Sequence, residues 1–243
     1  RHAPAVMGER FADVHSWCDR RCERCPLATG RCAVARREAQ RRWVRTARGE
    51  DPDDPAIQFA DVLLELERAA QLVERAAREQ GIDPSEPPEP EPVVSLTARR
   101  LQKLGQSFAS AVRKSVDRLP DVSEPDAREV AHEALLVATK CARLVGYFDP
   151  LGAPCIDDDC FEYDAAPNLL LFEELERRLK ERIPALFPDE LARALSARLA
   201  EVSALVEPLR AGVSDEARAE LAAMIERGEA PSPFLVREPA EAS

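Results

Sequence analysis

Three observations predict an all-α protein. Apolar residues recur at helical spacing through most of the 243 residues, helix start and stop signals bracket those stripes, and no alternating β pattern or fixed-period repeat interrupts them. The expected architecture is a multi-helix bundle preceded by a small N-terminal four-cysteine metal-binding segment. Its expected divisions are 1–48 for that segment and a basic helix, 49–228 for the bundle, and 229–243 for a flexible tail. Within the bundle the sequence places a Pro-rich linker at 83–94 and a loop at 149–167.

Each helix has its own signals. Residues 33–48 contain no breaker before Gly49, and Arg37, Arg41, Arg45 and Arg48 line up at steps of three and four, so a basic helix is expected there. Asp54 and Pro55 are a cap and a first-turn residue for a second helix, whose Phe59, Leu63, Leu66, Ala70, Val73 and Ala77 form one stripe before Gly81 stops it. The following Asp-Pro-Ser-Glu-Pro-Pro-Glu-Pro-Glu-Pro run, 83–92, cannot form a helical hydrogen-bond ladder and reads as an acidic, polyproline-like spacer.

Ser95 caps a third helix to about Leu119, with Leu101, Leu104, Phe108, Val112 and Val116 on one face. A fourth opens at Ser123–Asp126 and places Val130, Ala134, Val137, Cys141, Leu144 and Phe148 in register, which points Cys141 inward. After the Pro-interrupted loop come helices over 169–183, 188–209 and 214–227. Leu191, Leu195, Leu199, Val202, Val206 and Leu209 mark the middle one most clearly. Facing stripes imply one shared core containing Phe59, Leu63, Leu104, Phe108, Val137, Leu144, Leu195 and Val202.

Chemistry concentrates in Cys18–Cys32, where four of the seven cysteines occupy fifteen residues as C-x3-C-x2-C-x6-C. Cys18, Cys22, Cys25 and Cys32 are the candidate metal ligands, because four thiolates saturate either one zinc ion or one [4Fe-4S] cluster. Both cofactors stay open on spacing alone. An odd cysteine total fits a complete disulfide framework poorly, and a reducing compartment would favour metal ligation.

With its Cys25-Pro26-Leu27 step and closing Cys32-Ala33, the loop resembles the iron-sulfur loop of endonuclease III and MutY-type DNA glycosylases. The resemblance covers about sixteen residues and implies a cluster held by those four cysteines. It departs in the shorter first gap and in its place ahead of the helical body, and no Gly-rich hairpin with a catalytic Asp accompanies it. Glycosylase activity is therefore not implied. The first three cysteines also match the C-x3-C-x2-C spacing of radical S-adenosylmethionine enzymes. Those enzymes need a β/α barrel and an open iron, whereas this chain has helices and supplies a fourth cysteine.

Other constellations have plainer readings. Cys155 and Cys160 flank Asp157–Asp159, which reads as a solvated acidic loop, and Cys141 reads as a small core residue. Glu129-x-x-His132 is half of a ferritin-like di-iron motif, but neither His2 nor His15 completes a second half. No phosphate-binding loop, nucleophile elbow or H-E-x-x-H motif occurs, so an enzyme is not favoured and no catalytic residue is assigned.

Net charge is −11, divided unevenly. Residues 1–48 hold twelve Arg and five acidic residues, so a basic head precedes an acidic body. Arg36, Arg37, Arg41, Arg42, Arg45 and Arg48, with Trp17 and Trp43 for stacking, offer a nucleic-acid surface. Docking of the head on the chain's own carboxylates is favoured over it. No apolar run approaches the ~20 residues that span a bilayer, and no signal-peptide pattern opens the sequence, so the expected setting is cytoplasmic, without membrane.

The function expected from these features is a metal-binding helical protein acting as a non-enzymatic protein-interaction or scaffold module. A metal- or redox-responsive nucleic-acid-binding regulator is the alternative, and a bundle oxidoreductase using Glu129 and His132 ranks last. The oligomeric state stays open.

Overall fold

The computed structural model describes residues 18, 25, 27, 32–81, 94–120, 125–156, 161–230 and 234. The Pro-rich stretch through residue 93, Cys22, Cys160 and most of the 229–243 tail lie outside the described residues. Among those described are seven α-helices and no strand, as the all-α reading expects. They are α1 (Ala33–Ala47), α2 (Pro55–Glu79), α3 (Leu96–Val116), α4 (Pro125–Leu144), α5 (Ala166–Leu186), α6 (Asp189–Arg210) and α7 (Asp215–Glu226).

The chain divides into two units, residues 29–92 and residues 1–28 with 93–243. The basic helix α1 is tied by ion pairs to the segment that follows it, so α1 and α2 form one hairpin.

In the hairpin unit, the Cys32 sulfur accepts the Ala35 N–H at 3.4 Å and caps α1, taking a donor that a helix start would otherwise leave unpaired. Gly49, with φ of +76°, ends α1 in the left-handed region that glycine enters without strain. Asp54 Oδ1 accepts the Ala56 N–H at 2.8 Å and Pro55 fills the first turn of α2, as the sequence signals require.

In the other unit, α3–α7 bury one contiguous core. Leu101, Phe108 and Val112 of α3, Val130, Val137 and Leu144 of α4, Leu171, Leu175 and Leu179 of α5, and Leu195, Val202 and Val206 of α6 are all essentially inaccessible. α5 is the central helix: every residue from Ala166 to Phe172 is buried, so its start shows no polar face. α3 and α4 cross closely at Gly105, where a Cβ would lie 2.9 Å from both Cβ and Sγ of Cys141. Burial there pushes the Cys141 thiol up to about 12, so it behaves as the small core residue expected.

Two expectations are corrected. Phe59 and Leu63 do not join the core: α2 has no buried residue, and the two are 63% and 52% exposed. The stripe is real, but the helix alongside it offers arginines where a bundle would offer leucines. Leu104 is partly buried against the core edge, and Phe108, Val137, Leu144, Leu195 and Val202 lie within it. The loop expected to run to residue 167 ends sooner. A π-helical turn spans Phe161–Ala165 and leads straight into α5, held by burial of Phe161 and Ala165 and by Asn168 Nδ2 donating to the Asp164 carbonyl at 2.6 Å.

Candidate functional site

Three features carry chemistry, beginning with the cysteines. Cys18, Cys25 and Cys32 are described and form no disulfide, Cys18 and Cys25 in the larger unit and Cys32 at the head of the hairpin. Cys22 lies outside the described residues. Among the described residues no group of three or more His, Cys, Asp or Glu is gathered in a way that could hold a metal ion. Four cysteines fall within fifteen residues of sequence, and no disulfide joins those described. Cys155 is half-buried and free, and Cys141 is sealed in the core.

The Glu129-x-x-His132 pair does not form a metal site with other described residues. Glu129 faces Arg182 at 3.9 Å, while His132 lines a groove between α3 and α4. The carboxylate that the fold buries is the next one along, Glu133, with Arg182 at 3.1 Å and Arg178 at 3.3 Å. Desolvation outweighs both arginines, so its carboxyl sits above the ordinary glutamate range. Glu176 on α5 shows the opposite balance: burial raises it, but Lys180 and Arg210, both paired with its carboxylate, help bring it below that range.

The second feature is the distribution of cations. In α1, Arg41 binds Glu38 through both of its oxygens at 2.6 and 2.8 Å and reaches Asp61 of α2 at 2.6 Å. Arg42 makes a two-point contact with Asp53 at 2.5 and 2.8 Å. Arg45 joins Glu50 at 2.7 Å and also grips Asp61. Three arginines of the basic helix, Arg41, Arg42 and Arg45, are thus paired with carboxylates of the same hairpin.

α3 is the contrast. It carries Arg99, Arg100, Lys103, Arg113 and Lys114 and no Asp or Glu, and none of the five makes an ion pair with a described residue. Arg113 and Lys114, with Asp117 and with Arg128 of α4, line a groove of about 930 Å³ together with Ala109, Ala131, Leu135 and Ala138. Sequence reasoning placed the basic surface at the head. A run of 21 residues with five cations and no carboxylate was the signal for this one.

The third feature is the apolar face of α2. Leu66 is 61% and Val73 69% exposed, beside the exposed Phe59 and Leu63. Asp61, which α1 holds, lies almost opposite this face, because two residues back from Leu63 is about 200° of helical rotation. The ion pairs that fix the hairpin leave Phe59, Leu63 and Val73 exposed, while α1 flanks one side of the stripe, where Val62 and Leu66 line a groove with Glu38 and Arg41.

The chain matches no family model, no curated protein and no solved structure. The likeness to the glycosylase loop accordingly rests on the cysteine spacing and the Cys25-Pro26-Leu27 step. No helix among the described residues is long and apolar enough to cross a membrane.

Proposed function

We propose that this protein is a non-enzymatic interaction module in which the α1–α2 hairpin is the docking arm, headed by a four-cysteine metal site at Cys18, Cys22, Cys25 and Cys32. One observation carries the reading: α2 is a 25-residue amphipathic helix with no buried residue. Contiguous exposed apolar surface is costly in water and marks sites that meet another macromolecule. The metal, zinc or a [4Fe-4S] cluster, supplies cross-linking of a loop that has no core of its own.

A photo-reactive residue at Leu66, with one at Leu151 as control, tests the arm in cells. Leu151 is 94% exposed but belongs to no apolar face. The reading expects a discrete cross-linked adduct, identified by mass spectrometry, from position 66 only. No adduct, or the same adducts from both positions, overturns it. The metal is tested by anaerobic purification: a brown protein with absorbance near 400 nm means a cluster, a colourless one with one zinc per chain means a structural site, and neither metal removes the site.

A second reading, a polyanion-binding regulator, has one observation in its favour, the five cations of α3, none of which pairs with a described carboxylate. It moves the nucleic-acid surface from the head to that helix. It requires binding whose affinity falls steeply with salt and is lost on replacing Arg99, Arg100 and Lys103 by Glu, while replacement of Arg41 and Arg45 leaves it unchanged.

A further inference from the structure

From Ala56 to Ala77 the apolar residues of α2 recur at alternating steps of three and four, through Phe59, Leu63, Leu66, Ala70 and Val73. That is a repeat of 3.5 residues held for three heptads, the period of a two-stranded coiled-coil seam. It narrows the occupant of the face from any apolar surface to another helix. The sizes along the seam narrow it further.

In a parallel pair every layer meets its own copy, so Phe59 would crowd Phe59 while Ala70 and Ala77 faced each other across a gap. Run antiparallel about the middle of the helix, the same residues alternate. Phe59 covers Ala77 of the second copy, Leu66 covers its Ala70, and Leu63 covers its Val73, so every layer sets a larger side chain against a smaller one. Large opposite small is how facing helices fill space without voids or strain.

The flanks agree. One side of the seam carries Val62, Ala69 and Ala76, the other Glu67 and Glu74. Antiparallel pairing joins the two apolar flanks and extends the dry surface, and it brings Ala60 opposite Glu74 of the second copy. The one meeting of like charges, Glu67 with its own copy, sits at the solvent edge.

We propose that the face of α2 docks a second copy of this chain, through an antiparallel, self-complementary pairing of the two α2 helices with Leu66 against Ala70 of the other copy. The proposal rests on reading the hairpin as a docking arm and names its partner. A seam about 27 Å long and one helix wide falls near the low end of specific interfaces, so the dimer is expected at micromolar rather than nanomolar concentration.

The test is sedimentation velocity of the full-length chain from about 1 to 200 µM, a range that brackets such an affinity. The wild type should shift from monomer to dimer, and Leu66→Glu should stay monomeric. The orientation is read by Ala70→Leu. Antiparallel, the new side chain collides with Leu66 of the second copy and weakens the dimer about tenfold or more; parallel, it fills the Ala70 layer and strengthens it. The swap Leu66→Ala with Ala70→Leu should restore wild-type dimerisation within about threefold, because it exchanges large and small across the same layer. These positions are exposed, so circular dichroism should show each variant folded. A wild type that is monomeric throughout, or an Ala70→Leu variant that dimerises more tightly, overturns the proposal. The docking-arm reading would survive a monomeric result if the adduct at Leu66 contained a different protein.

Discussion

Gly105 sets the approach of α3 to α4, and replacing it by Ala puts two opposing effects on one residue. In an ordinary helix interior the change stabilises by about 1 kcal/mol, since Ala loses less backbone freedom than Gly on folding. Here the added methyl would lie 2.9 Å from Cys141 Cβ and Sγ and 3.3 Å from the Ala138 Cα. Two of these neighbours sit on or next to backbone and cannot swing away, so the helices must part. Overpacking of this kind costs about 1 to 3 kcal/mol, which makes the expected net effect a destabilisation of up to about 2 kcal/mol. Adding Cys141→Ala removes the sulfur contact and leaves the Cβ contact, so it should recover part of the loss. That coupling appears as non-additivity in a double-mutant cycle. Urea unfolding followed by far-ultraviolet circular dichroism measures all three variants, provided the slope with denaturant is unchanged. A Gly105→Ala protein more stable than wild type by the full propensity gain would refute the close crossing.

Three further outcomes follow from the charges and the core. Glu133 titrates above its ordinary range in the fold, so the folded state holds that proton more tightly than the unfolded chain does. Its stabilising contribution is present at acid pH and is lost as pH rises from about 4.3 through the raised folded value, at about 1.4 kcal/mol per unit of pKa difference. In Glu133→Gln this slope should vanish, and an unchanged pH profile would contradict the buried carboxyl. Asp61 is held below its ordinary range by hydrogen bonds from Arg45 and then Arg41, so the contribution has the opposite sign: it is present above the usual aspartate value and lost as pH falls through the depressed one. Amide exchange in α1 should rise over that acid window, and Asp61→Asn should show the faster exchange already at neutral pH. Phe108→Ala should cost about 3 to 5 kcal/mol, since the ring is fully buried and leaves a cavity.

Periodicity and caps made the bundle legible. Ser95, Asp54 and Ser214 cap α3, α2 and α7 through their side chains, and the stripe from Leu195 to Leu209 is buried as its spacing requires. The π-helical start of α5 was hidden because Pro167 and the residues around it read as loop chemistry, whereas burial of Phe161, Ala165 and Ala166 decides their conformation. Phe59 and Leu63 were misplaced for a more general reason. A stripe reports that a face is apolar; which surface covers it depends on tertiary partners that the helix's own residues do not encode.

The charges followed the same division. Excess arginine in the first 48 residues was visible, but the pairing of Arg41, Arg42 and Arg45 with Glu50, Asp53 and Asp61 depends on the α1–α2 turn. Glu133 gave no signal at all beside the more conspicuous Glu129 and His132, because nothing local distinguishes a carboxylate that will face the interior.

The central claim, that the α2 stripe lies outside the core and is free to dock, is tested most directly by the thermal unfolding of a matched pair, Leu66→Asp and Leu179→Asp, at low micromolar protein. Leu179 is fully buried in α5, and an unpaired charge there should abolish cooperative unfolding. Leu66→Asp should retain the bundle's cooperative transition with a midpoint within about 2 °C of wild type, as exposed substitutions stay within about 0.5 kcal/mol. A Leu66→Asp protein that loses its cooperative transition as Leu179→Asp does would place α2 in the core and contradict the account.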